Sequence, residues 1–324
     1  MAEVISQTEI GPDLYKLKIS ARIPQAPAEG VAAPGRFCHL QVRQPESWDP
    51  LLRRPLSIYN AEGYNPELTA ETDRETDFET GHETDHGTDH GTNNERAHKT
   101  IRNTDDETDH KAFHKTDHET DQLEFVYQIR GRGTRLLSQF QAGEQIDCMG
   151  PLGSGFTLDF RGSSIILLGG GLGIAPLYFL ARKLAANNDL QVYLGASSAD
   201  LLEPLAADFA RLDLRLTLAT DDGSLGRVGT VFDAFREDFT EKFQEGKNSQ
   251  QSDYIFACGP VPLLHSLQKY MTANNLPGEF SLEKRMACGS GVCLSCVCQT
   301  AKGNQRVCYE GPVLPAREVI FNGC

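Results

Sequence analysis

Apolar and polar residues alternate in short runs over the first half of the chain. Leu14-Tyr-Lys-Leu-Lys-Ile19, Phe37-Cys-His-Leu-Gln-Val42 and Gln145-Ile-Asp-Cys-Met149 are separated by turns rich in Pro and Gly. Alternation of this period and length predicts half-buried β-strands. Arg53-Arg-Pro-Leu-Ser-Ile-Tyr-Asn60 and Leu123-Glu-Phe-Val-Tyr-Gln-Ile129 have the same character, and together these runs predict a small antiparallel barrel. From Ser163 the pattern changes. Ile165-Ile-Leu-Leu168 is continuously apolar, as suits a strand covered on both faces, and it feeds a glycine run and a helical stretch to about Asn187. Further strands are predicted at Leu190–Leu194, Leu214–Ala219 and Tyr254–Ala257, with helices between them. Alternating strand and helix imply a parallel α/β sheet. The expected organisation is therefore a barrel over 1–157, an α/β domain over 158–280 and a small cysteine-bearing module over 281–324.

One segment breaks the pattern. Residues 62–121 form a degenerate four-residue repeat, with Thr at 72, 76, 80, 84, 88 and 92 and again at 100, 104, 108, 116 and 120. Large apolar side chains are sparse there, Phe78, Ile101 and Phe113 among them, so burial cannot offset the ordering entropy and a disordered insert is expected. His82, His86 and His90 are four apart. On a helix they would share a face and could bind metal, but Thr, Asp and Gly are poor helix formers. The strand-like runs on either side read as a hairpin whose turn has expanded, since loop-closure cost grows only logarithmically with length. Excising 63–121 is expected to leave folding intact.

Charge changes the picture little. The net charge of −14 over 324 residues is concentrated in 62–121, where 18 acidic and 6 basic side chains give −12. The remainder is close to balanced. No Lys/Arg cluster points to nucleic acid, and no run of 18 apolar residues predicts a membrane helix. The start, Met1-Ala-Glu-Val-Ile, lacks the basic stretch and apolar core of a signal peptide. A cytoplasmic location with reduced cysteines is expected.

The cysteines carry the chemistry. Cys288, Cys293 and Cys296 follow C-x4-C-x2-C, and Cys308 lies further on, the spacing of plant-type [2Fe–2S] ferredoxins. Gly289, Ser290, Gly291 and Ser295 are small enough for the backbone to wrap a cluster closely. Zinc remains an alternative, although zinc sites usually show two C-x2-C knuckles. Cys298 competes with Cys308 as the fourth ligand; Cys308 is preferred because three ligands from one loop need a fourth from a separate segment. Cys38, Cys148, Cys258 and Cys324 read as ordinary thiols.

Two other motifs suggest nucleotide binding. Gly169–Leu177, with Gly170, Gly171 and Gly173 directly after a buried strand, would let backbone N–H groups approach a pyrophosphate at a helix start. Pro176 occupies the last slot of a partial G-x-G-x-x-G and suits the first turn of a helix. Cys258-Gly-Pro260 follows another strand and would share the carboxyl edge of the sheet. Beyond Gln191–Leu194, the sequence Gly195-Ala-Ser-Ser198 has no Arg to hold a 2′-phosphate and Asp200 is near, which favours NAD over NADP. Thr220-Asp-Asp-Gly-Ser224 reads as a loop at the same edge, or as a plain surface turn.

In this order the motifs resemble the ferredoxin–NADP reductase superfamily. Arg54-Pro-Leu-Ser57 looks like its flavin signature, Gly131-Arg-Gly-Thr134 its second flavin element, Gly150-Pro-Leu-Gly-Ser-Gly-Phe156 the barrel exit, and Gly169–Leu177 with Cys258-Gly-Pro260 its nicotinamide elements. Ser281-Leu-Glu-Lys-Arg-Met-Ala-Cys288, the cysteine spacing and Cys308-Tyr-Glu-Gly-Pro-Val313 are similar to the electron-transfer subunits of NAD-dependent dihydroorotate dehydrogenases of the B type. That resemblance implies FAD at Arg54, Pro55, Leu56, Ser57, Val126, Tyr127, Gln128, Gly133 and Thr134, a [2Fe–2S] cluster on Cys288, Cys293, Cys296 and Cys308, and NAD as co-substrate. Gln128 stands where the family often has Arg, which removes a cationic contact to the flavin phosphates, and the repeat insert is foreign to the pattern. The implied partner is an FMN-containing dihydroorotate dehydrogenase catalytic subunit in a heterotetramer. Electrons would leave dihydroorotate there and pass singly through the cluster to FAD, which reduces NAD⁺ in pyrimidine biosynthesis; no catalytic base is expected on this chain. The competing readings are a reductase subunit serving another system, such as sulfur or sulfite reduction, and a non-catalytic interaction protein using the repeat as its surface.

Overall fold

The computed structural model describes residues 1–21, 32–42, 52–62, 121–244 and 253–321. Six antiparallel strands close a barrel in the order β1-β2-β5-β4-β3-β6. They are β1 (Ala2–Gly11), β2 (Leu14–Ala21), β3 (Phe37–Gln41), β4 (Arg54–Glu62), β5 (Asp121–Gln128) and β6 (Gln145–Leu152). Alternate residues face inward, so Val4, Leu17, Ile19, Cys38, Leu40, Leu56, Ile58, Leu123, Phe125 and Tyr127 share one core. The period-two patterning produces this directly. The expanded-hairpin expectation holds: β4 pairs antiparallel with β5, ending at Ala61 opposite Leu123 and Glu62 opposite Gln122. The ends of the segment, Glu62 and Asp121, are thus strand residues; the repeat and its histidines lie outside the described residues.

A seven-stranded sheet follows, in the order β10-β9-β8-β7-β11-β12-β15. Its strands are β7 (Ser164–Gly170), β8 (Asp189–Ala196), β9 (Arg215–Thr220), β10 (Arg227–Val228), β11 (Tyr254–Cys258), β12 (Gly278–Ser281) and β15 (Val313–Pro315). All neighbours are parallel except β12 and β15. On central β7, Ile165 and Leu167 join a core with α2 (Ala175–Leu184) and α3 (Ala199–Phe209). Ile166 and Leu168 join another with α4 (Val231–Gln244) and α5 (Val261–Ala273). Both faces are covered, which is why this strand had to be apolar throughout.

The barrel is tied to the α/β part by a buried polar knot. Tyr59 on β4 donates to Asp208 on α3 at 2.6 Å, Lys16 on β2 ion-pairs with the same carboxylate, and Arg211 adds a contact at 3.2 Å. Tyr59 also stacks on Tyr178 of α2, with ring centroids 4.6 Å apart.

The cysteine-bearing segment departs from the sheet and returns to it. It leaves after β12, turns through the β13 (Val297–Thr300)–β14 (Gly303–Arg306) hairpin, and comes back as β15, with Ser281 opposite Val313 and Phe280 opposite Leu314. It is also fastened to the barrel exit, where the Ser154 amide donates to the Gly311 carbonyl at 2.6 Å.

Because strand pairing stops at Glu62 and Gln122, replacing 63–120 with a four-residue turn removes roughly four doublings of loop length, worth about 2 kcal/mol at about 0.6 kcal/mol each. The shortened protein should keep its flavin and melt at or above the temperature of the full chain. Differential scanning calorimetry with flavin absorbance checks this; a lower melting temperature with loss of flavin would show that the segment braces the barrel.

Candidate functional site

The two flavin-like elements meet. Arg54 starts β4, and Gly133 lies in α1 (Arg132–Leu137), just after β5. A Cβ at position 133 would overlap the Arg54 guanidinium, so the absent side chain is the slot in which the arginine sits. Thr134 holds the turn: its hydroxyl accepts from the Arg130 amide at 2.9 Å and the Gly131 amide at 3.3 Å. This fixes one guanidinium beside a tight backbone turn, an arrangement suited to a phosphate. Along β4, Pro55 pairs with His39 and Ser57 with Phe37 of β3. The Leu56 and Tyr127 side chains turn into the barrel core, so either could meet a flavin only through its main chain. Val126 faces the opposite way, into the core shared with Tyr59 and α2. Gln128 ends β5 with its buried Oε1 unpartnered, an acceptor left open at the same edge.

The two nicotinamide-like elements are also brought together. Cys258 pairs with Gly169 across β11 and β7. A Cβ on Gly173 would stand 2.5 Å from the Cys258 carbonyl carbon, and one on Gly170 would meet Leu263 and Pro260. The strand ends therefore touch through glycine, and Gly171–Ile174 forms a 3-10 turn leading into α2 with Pro in its first turn. The loops after β8 and β9 share this carboxyl edge: the Asp221 amide donates to the Ala196 carbonyl at 3.1 Å, and the Ala199 amide to Ser224 Oγ at 2.8 Å.

The four cysteines come in two pairs. Around Cys288, the backbone N–H groups of Cys293 and Ser290, with the Ser290 hydroxyl, hold the thiol down to about 5. Cys293 lies 3.2 Å from Ser295 Oγ, which lowers its thiol as well. The second pair is buried: the Cys308 amide donates to Cys296 Sγ at 3.4 Å. Burial, then the Cys296 thiol, pushes Cys308 up to about 12. Cys298, the competitor for the fourth position, is buried on β13 and disulfide-bonded. This departs from the expectation of reduced cysteines; the seven others in the described region are free. Among the described residues no three His, Cys, Asp or Glu side chains gather around one point as a single-ion site would require. The donor set, two thiol pairs with amides aimed at sulfur, suits a two-metal group better than one ion, because each metal of such a group takes two thiolates.

Residues 283–320 match the model of the iron-sulfur cluster binding domain of dihydroorotate dehydrogenase B. The dihydroorotate dehydrogenase B (NAD(+)), electron transfer subunit of Desulforamulus reducens is 30% identical over 325 residues, covering 99% of this chain and 97% of the relative. The subunit of the same name from Geobacillus thermodenitrificans is 32% identical, covering 98% and 97%. The chain belongs to this family of electron transfer subunits. Among solved structures, an NADH-dependent reduced ferredoxin–NADP oxidoreductase shares the fold with a TM-score of 0.66 at 22% identity, over 99% of this chain and 90% of that one. The ferredoxin reductase of carbazole 1,9a-dioxygenase follows at 0.55 and 18%, over 86% and 67%. No described helix is long and apolar enough to cross a membrane.

Three residues at the site were not singled out from the sequence. Ser281 ends β12, where it pairs with Cys258, and Glu283 lies two residues further on. Desolvation pushes the Glu283 carboxyl above its usual range, with the Arg130 charge opposing. Burial, then the Glu283 charge, raises Cys258. His39 is fully buried on β3 with both ring nitrogens unpartnered; burial, then Arg53, lowers it to about 4. In sequence each is one polar residue in a strand or strand end, and only the pairing of distant strands brings it to the site.

Gly133→Ala should displace Arg54 while leaving the barrel core untouched. The expected result is at least a tenfold weaker hold on flavin, read as flavin-to-protein absorbance after gel filtration, with a melting temperature in excess flavin close to that of the parent. Full flavin retention would mean that the guanidinium is free to move aside.

Proposed function

We propose that this chain is the electron-transfer subunit of an NAD-dependent dihydroorotate dehydrogenase, working in the cytoplasm beside an FMN-containing catalytic subunit in a heterotetramer. The observation that carries the reading is the pairing of Cys288 with Cys293 and of Cys296 with Cys308 in the segment matched by the iron-sulfur model, anchored to a barrel in which Arg54 and Gly133 interlock. Cys288, Cys293, Cys296 and Cys308 would hold a [2Fe–2S] cluster. FAD would lie on Arg54, Pro55, Leu56, Ser57, Val126, Tyr127, Gln128, Gly133 and Thr134, and NAD on Gly170, Gly171 and Gly173. The functional division follows the modules: 1–157 for flavin, 158–280 for NAD and 281–324 for the cluster.

When bound, the cluster supplies one-electron transfer and the flavin the two-electron exchange that a nicotinamide requires. The chain's own residues set the stage for both. Amides aimed at the cysteine sulfurs favour thiolate at Cys288 and Cys293. Buried Cys308 would keep its proton unless a metal took the proton's place. Arg54, fixed by the Gly133 slot, offers a forked cation to phosphate. The close glycine contacts at the ends of β7 and β11 leave main chain, rather than side chains, facing a nicotinamide nucleotide.

The surface beside the cysteines supports a protein partner that exchanges electrons there. Val292, Leu294 and Tyr309 are 79%, 61% and 60% exposed, and the Arg306 guanidinium lies 4.6 Å from the Tyr309 ring centroid. Exposed apolar residues on the segments that carry the cysteines are a feature of docking surfaces.

Two measurements test the reading. Cys308→Ser should abolish the EPR signal of the dithionite-reduced cluster, whereas Cys298→Ser should keep it; the reverse result would move the fourth ligand to Cys298. With the catalytic subunit co-expressed, NADH should bleach the flavin and iron–sulfur bands, and dihydroorotate should drive NAD⁺ reduction. Bleaching without dihydroorotate coupling would keep the reductase and assign it to another system.

A further inference from the structure

His39 has no role in the reading above, yet it occupies a distinctive place. Along β3, Cys38 and Leu40 point into the barrel, so Phe37 and His39 point outward. Phe37 belongs to the apolar cluster that also contains Cys296 and Cys308, and at His39 the cysteine-bearing segment lies over this outer face. The segment approaches it at Gly289, the residue after Cys288. A Cβ there would stand 3.0 Å from His39 Nδ1, from His39 Cε1 and from Met149 Cε. Met149 is the β6 partner of His39, so the two side chains form the floor on which the loop rests. On its other side, His39 pairs with Pro55 of the flavin strand. The imidazole therefore lies against the loop assigned to the cluster, on a strand paired directly with the one assigned to flavin. It is 0% exposed, and neither nitrogen finds a partner. A neutral imidazole carries one N–H donor and one lone pair, and a buried donor aimed at a close-packed loop calls for an acceptor there.

We propose that His39 donates its Nδ1–H to sulfur of the iron–sulfur cluster held by the Cys288 loop, and so sets the potential at which that cluster takes up an electron. The proposal rests on the reading that the four cysteines hold a cluster. Its physical basis is general: hydrogen bonds to the sulfurs are among the factors that tune these centres, and a donor favours the reduced, more negative form. Gly289 is required because any side chain would hold the loop off the ring. His39 is a tuning and positioning residue; it exchanges no proton in this scheme.

The test is a potentiometric EPR titration of the assembled holoprotein and its His39→Leu and His39→Asn variants, with iron and flavin content measured in parallel. His39→Leu should load both cofactors but shift the reduced-to-oxidised ratio of the cluster at a fixed potential about tenfold towards oxidised, a midpoint lower by about 59 mV for one electron. His39→Asn, which can present an amide N–H near the Nδ1 position, should recover most of that shift. An unchanged cluster midpoint in a fully loaded His39→Leu protein overturns the proposal, as does a shift confined to the flavin. Should His39→Leu fail to assemble, pulsed EPR of the reduced parent protein labelled with ¹⁵N-histidine decides: coupling of a histidine nitrogen and its exchangeable proton to the cluster is expected, and their absence overturns it. If the parent shows no [2Fe–2S] signal at all, the cluster assignment itself fails, an outcome separable from the others.

Discussion

Main-chain pairing between β12 and β15 holds the redox end of this protein in place. The cysteine segment leaves the sheet at Ser281 and rejoins it at Val313, and those two residues are opposite each other in the ladder. A loop whose ends are zipped into a sheet has much of its closure entropy met by the sheet. The loop can then be built from small residues, Gly289, Ser290, Gly291 and Ser295 among them, that contribute little apolar burial of their own. The Ser154–Gly311 hydrogen bond adds a second tether, to the barrel exit. Flavin strand, nucleotide edge and cysteines are thereby fixed relative to one another through backbone contacts, which vary less than side-chain contacts do.

Close approach through glycine recurs within these parts and between them. Gly133 admits Arg54, Gly173 admits the carbonyl of Cys258, and Gly289 admits His39 and Met149. In each case the missing Cβ is occupied by a group from a segment remote in sequence. The effect is to bring polar main chain and selected side chains to a shared edge without intervening apolar bulk, which suits cofactors that must lie close together to exchange electrons. Elsewhere the described residues are packed conventionally, in apolar cores with a polar knot around Asp208 between barrel and α/β part.

Much of this architecture was legible in the chain. Alternation at Leu14–Ile19 and Leu123–Ile129 specified barrel strands because one face is wet and one dry. The unbroken Ile165–Leu168 run specified a strand covered twice. The hairpin across the repeat could be read because both flanks carry the same pattern. The C-x4-C-x2-C spacing marked the segment that the iron–sulfur model matches, because ligand spacing within a loop is a local property.

What the sequence could not reveal depends on contacts between distant strands. β1, whose alternation is weaker, and the three-residue β15 gave no usable signal, since each is defined by the neighbour it pairs with. Spacing alone does not say which of Cys298 and Cys308 lies beside Cys296; in the fold the Cys308 amide donates to Cys296 Sγ. His39 and Glu283 look like ordinary polar residues until β3 meets the Gly289 turn and β12 meets β11. By itself the chain determined its elements and the kind of chemistry it carries, because hydrophobic period and ligand spacing act over a few residues. The tertiary structure decided which residues face one another across the site, because strand register and close approach are properties of segments that meet only once the chain has folded.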